Sequence, residues 1–268
     1  MTATSAIAIN VFRESVRDKV LYNLVVFAVV LIGASYILGQ LTAGQDVKII
    51  KDLGLAATSI FGLFIAVFIG IGLVSKEVER RSIYALLAKP IERYQLVIGK
   101  YCGLCLTLAV NISVMAAALY LVLAYMAWGV APDVARTWDA PATDPALLEA
   151  VALILVELML VTAVALFFST FSTPMLSAAL TFGLFIVGHL SGDLRNFREV
   201  VDSPSAAWVA RVVYWVLPHL SQFDIKADVV HGVHVPIGYV LMTVAYAALY
   251  IGMLLAISSL VFSRRDFK

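Results

Sequence analysis

The chain has 268 residues, of which 62% are hydrophobic and 14% charged, and its mean hydropathy is +0.96. Soluble domains carry about 25% charged and about 45–50% apolar residues, so this composition excludes an ordinary soluble protein and predicts an integral membrane protein. The formal net charge is +1, and no basic face lies beyond the flanks of the apolar runs, which argues against a nucleic-acid partner.

The chain begins with a segment in which apolar and charged residues alternate at helical spacing. Ile7, Val11 and Val16 interleave with Arg13 and Arg17. This pattern predicts a helix that lies in the membrane interface before the first span. The alternative is a positively charged start of the first span itself. No signal peptide is evident, because no small-residue cleavage site follows an apolar core.

Six apolar stretches are candidates for membrane spans, since a helical span needs roughly 20 predominantly apolar residues. The fifth is short and follows Pro174. We therefore predict an all-α integral membrane fold with six transmembrane helices in a single domain, residues 1–268. The predicted spans are about 20–39, 53–74, 102–128, 147–168, 175–190 and 236–262.

The basic residues predict the orientation. Twelve of them fall on one side of the six spans and seven on the other, and cytoplasmic loops carry the excess of Lys and Arg. Both termini and the loop after the second span are therefore predicted to be cytoplasmic, in the cell inner membrane. The twelve are Arg13, Arg17, Lys19, Lys76, Arg80, Arg81, Lys89, Arg93, Lys100, Arg264, Arg265 and Lys268.

Residues Ser75–Lys100, the charged segment, separate the second and third predicted spans. The segment holds nine charged residues, six of them basic. Ile83, Leu86, Leu87 and Ile91 recur at helical spacing, which predicts an amphipathic helix that Pro90 ends or bends. Such a helix at a membrane surface either lies among the headgroups or presents a face to a soluble partner.

The order of charges, small residues and proline in the charged segment resembles the cytoplasmic loop of type-2 ABC exporter permeases. The resemblance implies that the loop contacts an ATPase subunit. Many members have glycine where this chain has Arg81, and a generic charged loop that only anchors the topology is the alternative. The matching residues are Glu77, Glu79, Arg80, Ser82, Ile83, Leu86, Leu87, Ala88, Pro90, Ile91 and Arg93, followed by Gly99-Lys100.

The resemblance also implies how the chain works. It implies a permease that exports a substrate using ATP hydrolysed by two copies of a separate ABC ATPase subunit, in a homodimer or a heterodimer with a related permease. The chain itself is predicted not to be an enzyme and to bind no cofactor: Gly99-Lys100 lacks the upstream glycine of a phosphate-binding loop, so ATP and Mg belong to the partner. The implied ATPase-coupling residues are Glu77, Glu79, Arg80, Arg81, Pro90 and Arg93.

The long outer loop, residues 191–235, precedes the last predicted span. Trp208, Val212, Trp215 and Val216 form one apolar stripe at helical spacing, which predicts a helix over 205–217 that dips into the outer leaflet. The family resemblance likewise implies a re-entrant segment before the last span, ending in a sequence like Leu217-Pro218.

Glu157 is the acidic residue predicted to lie well inside a span. A carboxylate at that depth costs roughly 2.5–3.5 kcal/mol or more, so it is expected to face the bundle or a cavity. It either lines a pathway or gate, or forms a structural hydrogen bond to a neighbouring helix.

Metal binding has weaker candidates. His231 and His234 lie near Asp224 and Asp228, and imidazole with carboxylate can hold copper, zinc or iron. One branch of the family that the chain resembles is associated with maturation of copper enzymes. No cysteine or methionine cluster accompanies the histidines, so we predict no metal site.

Two other classes of function compete with export. One is a membrane scaffold that transmits ATPase motion to an extracytoplasmic partner. The other is an ion-coupled secondary carrier with Glu157 as its proton site, but such carriers usually show several intramembrane charges and an internal repeat, which this chain lacks.

Overall fold

The computed structural model describes residues 3–41, 45–79, 93–136, 138–190, 208, 214–215 and 217–264. Within these ranges every regular element is helical. The long helices are α1 (Ala3–Val16), α2 (Lys19–Gln40), α3 (Asp46–Glu79), α4 (Arg93–Gly129), α5 (Ala146–Ser169), α6 (Pro174–His189) and α7 (Ile237–Arg264). Short helical turns lie at Pro132–Ala135, Leu220–Phe223 and Lys226–Val230.

Five of the described helices, α2, α3, α4, α5 and α7, are long and apolar enough to cross a membrane. This confirms an all-helical, multi-pass membrane protein. The fifth predicted span, 175–190, lies in α6, which has 16 residues. At 1.5 Å per residue it is about 24 Å long, shorter than the roughly 30 Å hydrocarbon core of a bilayer. The structure therefore describes five full-length candidates and one shorter apolar helix.

Helices α3 and α4 are longer than a span requires. They contain 34 and 37 residues, or about 51 and 55 Å of helix, and so exceed the hydrocarbon core of about 30 Å by about 21 and 25 Å. We call the end of the bundle that holds α1 and the first turns of α4 the α1 end. The other end, where α3 and α5 begin, is the far end.

The helices differ in how deeply they are buried. In the most apolar window of α3, 72% of the residues are buried, against 22% in α2 and 17% in α7. Helix α3 is therefore central and α2 and α7 are peripheral. Their exposed apolar side chains, such as Phe27 and Leu249, fit a protein whose outer surface meets lipid.

Close contacts at glycine hold α3 against its neighbours. A Cβ atom on Gly70 would lie 2.7 Å from Ala165 Cβ in α5, and one on Gly62 would lie 2.4 Å from Leu158 Cδ1. Real Cβ atoms do not approach so closely. Gly70 therefore has no room for a side chain, because Ala165 Cβ cannot move independently of the α5 backbone, whereas a side chain at position 62 would require the Leu158 side chain to shift. Small residues at the interface are what lets membrane helices pack backbone to backbone.

The N-terminal helix packs against α4. A Cβ atom on Gly103 would lie 2.6 Å from the Ala8 carbonyl oxygen and 2.8 Å from Val11 Cβ, and Gly99 meets Ile7 and Thr4 in the same way. After α1, Asp18 caps α2, its carboxylate accepting a hydrogen bond from the Val20 N–H at 3.0 Å. The sequence pattern predicted the helix; its contact with α4 is a finding of the structure.

Residues 217–236, the inserted segment, form the last part of the long outer loop and lead into α7. Leu220, Phe223, Val229 and Val230 are each at most 1% exposed. The segment packs against α3, α5 and α6, and Pro218 and Leu220 lie directly against Gly188 near the end of α6. It therefore fills space in the bundle beyond the end of the short helix α6.

The helix predicted over 205–217 falls mostly outside the described residues. Trp208, Tyr214 and Trp215 have helical backbone, and the two tryptophans are 66% and 78% exposed. Val212 and Val216 lie outside the described residues. Among the described residues of the long outer loop, the buried ones lie in the inserted segment.

Candidate functional site

Glu157 lies at the midpoint of α5, 11 residues from Ala146 and 12 from Ser169, or about 17 and 18 Å along the helix axis. It is 1% exposed, and its Oε1 has no hydrogen-bond partner. A buried polar atom without a partner costs about 1–3 kcal/mol, more for a charged group, so it requires an explanation. The prediction that this carboxylate faces the bundle interior agrees with its burial.

His189, the last residue of α6, lies beside Glu157. Its Nε2 lies 3.3 Å from Glu157 Oε1. Its Nδ1 lies 3.3 Å from the Phe185 carbonyl oxygen, and a carbonyl only accepts hydrogen bonds, so Nδ1 carries a hydrogen. In a neutral imidazole of that tautomer, Nε2 has only a lone pair. An imidazole lone pair facing an ionised carboxylate is unfavourable, so the pair is stable when one proton is held between the two side chains.

The inserted segment adds a charge pair to this region. Lys226 Nζ lies 3.5 Å from Asp224 Oδ1 and 3.5 Å from Ser59 Oγ in α3. Lys226 attracts and Asp224 repels the ionised Glu157 carboxylate. We call Glu157, His189, Asp224, Lys226 and Ser59 the Glu157 cluster. It links α3, α5, α6 and the inserted segment, and it extends from the buried Glu157 to the exposed Asp224.

Contacts with α7 hold the inserted segment from the other side. The Tyr239 hydroxyl donates to the Gln222 carbonyl at 2.7 Å, and the Tyr246 hydroxyl accepts from the His219 backbone N–H at 3.0 Å. His219 Nε2 is buried without a hydrogen-bond partner, and burial lowers the pKa of this imidazole from its usual value. The neutral form of His219 is therefore the one that this position favours.

The charged segment lies largely outside the described residues. Helix α3 continues to Glu79 and α4 begins at Arg93, so these two helices bracket residues 80–92 at the α1 end. The backbones of Glu77, Glu79 and Arg93 belong to these helices, while their side chains lie outside what the structure describes. Arg80, Arg81 and Pro90 fall within 80–92 and also lie outside the described residues.

The histidines considered as metal ligands do not come together with other ligands. His231 and His234 are exposed, and His231 Nδ1 lies 2.8 Å from the Ala227 carbonyl oxygen. Among the described residues, no group of three or more His, Cys, Asp or Glu side chains is placed to hold a metal ion.

Sequence reasoning identified Glu157 but missed its neighbours. His189 ends the short apolar stretch after Pro174, and its position inside the predicted bundle was the signal that was available. Lys226, Asp224 and Ser59 carry no sequence signal, because their proximity depends on how the inserted segment folds back on α3.

Comparison with known families gives one match. Residues 5–194 match the family model described as ABC-2 family transporter protein. The match therefore covers the chain from α1 through α6, including the charged segment and Glu157, and stops before the inserted segment and α7. No curated protein matches the chain.

Proposed function

This chain belongs to the ABC-2 family of transporter proteins and is a membrane-spanning permease subunit of an ABC transporter, and from this premise we propose that it exports its substrate. A separate ABC ATPase, present in two copies, supplies the energy. Two permease subunits, identical or related, form the membrane part. The chain lies in the cell inner membrane with the α1 end in the cytoplasm, so both termini are cytoplasmic.

The observation that carries this proposal is the arrangement at the α1 end. The matched family segment includes residues 80–92, and the two longest helices, α3 and α4, lead directly into and out of it. They are about 21 and 25 Å longer than the membrane core requires, and we infer that part of this excess projects from the bilayer at the α1 end toward a soluble partner. Residues 75–100 are the contact for the ATPase in this arrangement.

The packing provides a route from that contact into the membrane. Helix α3 packs closely against α5 at Gly62 and Gly70, and at Gly70 it leaves no room for a side chain. A movement of α3 therefore either carries α5 with it or separates the two helices. Leu158, which contacts Gly62, follows Glu157 in sequence. ATP-driven displacement of the charged segment therefore acts on the helix that carries the central carboxylate.

The Glu157 cluster marks the place where the pathway opens. The inserted segment closes the bundle above the end of α6, and the Lys226 contacts with Asp224 and Ser59 hold it against α3. Withdrawal of the segment from α3 breaks the two 3.5 Å contacts of Lys226, whereas the hydrogen bonds to Tyr239 and Tyr246 can keep the segment attached to α7. It also exposes a charged surface next to Glu157. A polar surface at this depth suits a pathway that is closed at rest.

The test is a double charge reversal in the charged segment. With Glu79→Lys/Arg80→Glu, we expect the permease to insert into the membrane normally. We expect it no longer to stimulate ATP hydrolysis by the ATPase subunit in the assembled transporter. Arg17→Glu is the matched control, because it reverses an exposed charge at the α1 end outside the charged segment. Unchanged copurification and hydrolysis in the double variant would mean that the segment only anchors the topology.

A further inference from the structure

A cavity of about 210 Å³ lies at the far end of the bundle, away from the Glu157 cluster. At about 30 Å³ per molecule, it has room for about seven waters. Its polar lining includes Lys48 and Lys51 from the start of α3 and Asp139 from the loop before α5. Trp138 and Val230 supply apolar walls, the latter from the inserted segment.

Lys51 is the unusual member of the lining, because it is only 1% exposed. Its ammonium group donates to the Pro141 carbonyl oxygen at 2.8 Å. No carboxylate among the described residues forms an ion pair with it. Buried charges are normally paired, since an ammonium removed from water loses several kcal/mol of hydration. The Asp144 carboxylate attracts the Lys51 ammonium group without forming an ion pair with it, and the Lys51 side chain lies in the lining of the cavity. Two of its three N–H donors remain for a ligand there.

Lys48 and Asp139 form an ion pair at the cavity, with side chains that are 30% and 50% exposed. Lys48 and Lys51 are three residues apart and share one face of α3. The cavity thus has two ammonium groups and one carboxylate, an excess of one positive charge. An entering anion can bind Lys51 and compete with Asp139 for Lys48.

We propose that this cavity is a binding site for a small oxyanion, of the kind presented by free phosphate or by a phospholipid headgroup. Lys51 is the buried anchor and Lys48 the accessible second contact. Trp138 and Val230 exclude water from one side, which strengthens the attraction between the ammonium groups and the anion.

Tryptophan fluorescence can test the proposal, because Trp138 lines the cavity. Trp128, Trp208 and Trp215 are 66–89% exposed and are replaced by Phe, which leaves Trp138 as the reporter. The protein is placed in phosphatidylcholine nanodiscs and titrated with inorganic phosphate. We expect a saturable change in fluorescence. Absence of any saturable change would overturn the proposal.

Three variants give results of different sign. Lys51→Met is expected to weaken phosphate binding by about tenfold or more, which corresponds to about 1.4 kcal/mol. Asp139→Asn removes the competing carboxylate and is expected to tighten binding. Arg136→Gln is the matched control. Arg136 has the same positive charge as Lys51 and lies in the same loop as Asp139, but outside the cavity lining. This variant is expected to leave the phosphate affinity unchanged.

Equal phosphate affinity in the wild type and in Lys51→Met would refute the site. The same conclusion would follow if Arg136→Gln weakened phosphate binding as much as Lys51→Met does, because the attraction would then be nonspecific. If Lys51→Met does not fold, the surface variant Asp139→Asn still decides, since unchanged or weaker binding contradicts competition for Lys48. The phosphate titration is then repeated in nanodiscs that contain phosphatidylglycerol, to determine whether the bound oxyanion is a lipid headgroup or a soluble anion. A lower apparent phosphate affinity there identifies the lipid headgroup as the ligand, and an unchanged affinity identifies a soluble anion.

Discussion

Replacing Glu157 by glutamine separates a functional carboxylate from a structural one. The side chain is 1% exposed, and Oε1 lacks a hydrogen bond. A charged side chain at the centre of a membrane helix costs roughly 2.5–3.5 kcal/mol on insertion scales. Glutamine has the same shape and no charge, and its amide can donate a hydrogen bond to His189 Nε2. We therefore expect Glu157→Gln to leave the free energy of unfolding unchanged or to raise it by about 1–3 kcal/mol.

The same variant is expected to lose transport-coupled ATPase activity, because the charge beside the pathway is gone. The assays are denaturant unfolding of the purified permease and ATP hydrolysis by the assembled transporter. Glu149→Gln is the control, since it makes the same change in the first turn of α5, away from the cluster. Lower stability together with normal activity in Glu157→Gln would refute a functional role and leave Glu157 as a structural group.

The partnership with His189 can be measured in the same assays. His189→Leu removes the group that shares a proton with Glu157, and we expect it to lower the free energy of unfolding by about 1–3 kcal/mol. In the double variant with Glu157→Leu, whose side chain cannot hydrogen-bond to His189, most of that loss should disappear, giving a coupling free energy of about 0.5–3 kcal/mol. Strict additivity of the two single effects would show that no proton is shared across the 3.3 Å between Nε2 and Oε1.

Two further predictions follow from the packing of the inserted segment and of α1. Burial lowers the pKa of His219 below 6.5, so the unfolded state takes up a proton first as the pH falls. The free energy of unfolding should therefore decline from pH 6.5 downward. His219→Phe should abolish this pH-dependent part of the stability in unfolding curves measured on either side of pH 6.5. Gly103→Leu places side-chain atoms where the Ala8 carbonyl oxygen lies, so it should detach α1 from α4 and lower the free energy of unfolding by about 1–3 kcal/mol. The detachment should appear as faster maleimide labelling of an Ala8→Cys reporter. Gly33→Leu, at a position with open space, should leave that labelling unchanged.

The helices were predictable because membrane spans are long apolar runs, and their length alone distinguishes them from loops. The predicted stretches 20–39 and 147–168 lie within α2 and α5, and each helix extends only slightly further at either end. Glu157 was predictable for the same reason, since one charge in an apolar run has to face the protein interior. These inferences use only local sequence and the properties of the bilayer.

The partners of Glu157 were not predictable, because they depend on contacts between distant parts of the chain. The inserted segment mixes polar and apolar residues without a helical or alternating period, so its sequence does not predict that it is buried between helices. Its turn depends on Gly232, which has a φ of +71° and lies against the Asp139 carbonyl. A glycine in a loop is common, and only the fold shows that this one sets the position of Val230 at the far-end cavity.

Helix α3 contributes to all three regions discussed above. Its last turns enter the charged segment, Ser59 contacts Lys226 beside Glu157, and Lys48 and Lys51 line the far-end cavity. A continuous helix of about 51 Å moves largely as one body, so a tilt imposed at Glu79 changes the position of Ser59 and of the two lysines together. The glycine contacts with α5 define where that helix is held. Movement that separates Ser59 from Lys226 would therefore also change the cavity, and oxyanion binding at Lys51 should depend on whether the ATPase is bound.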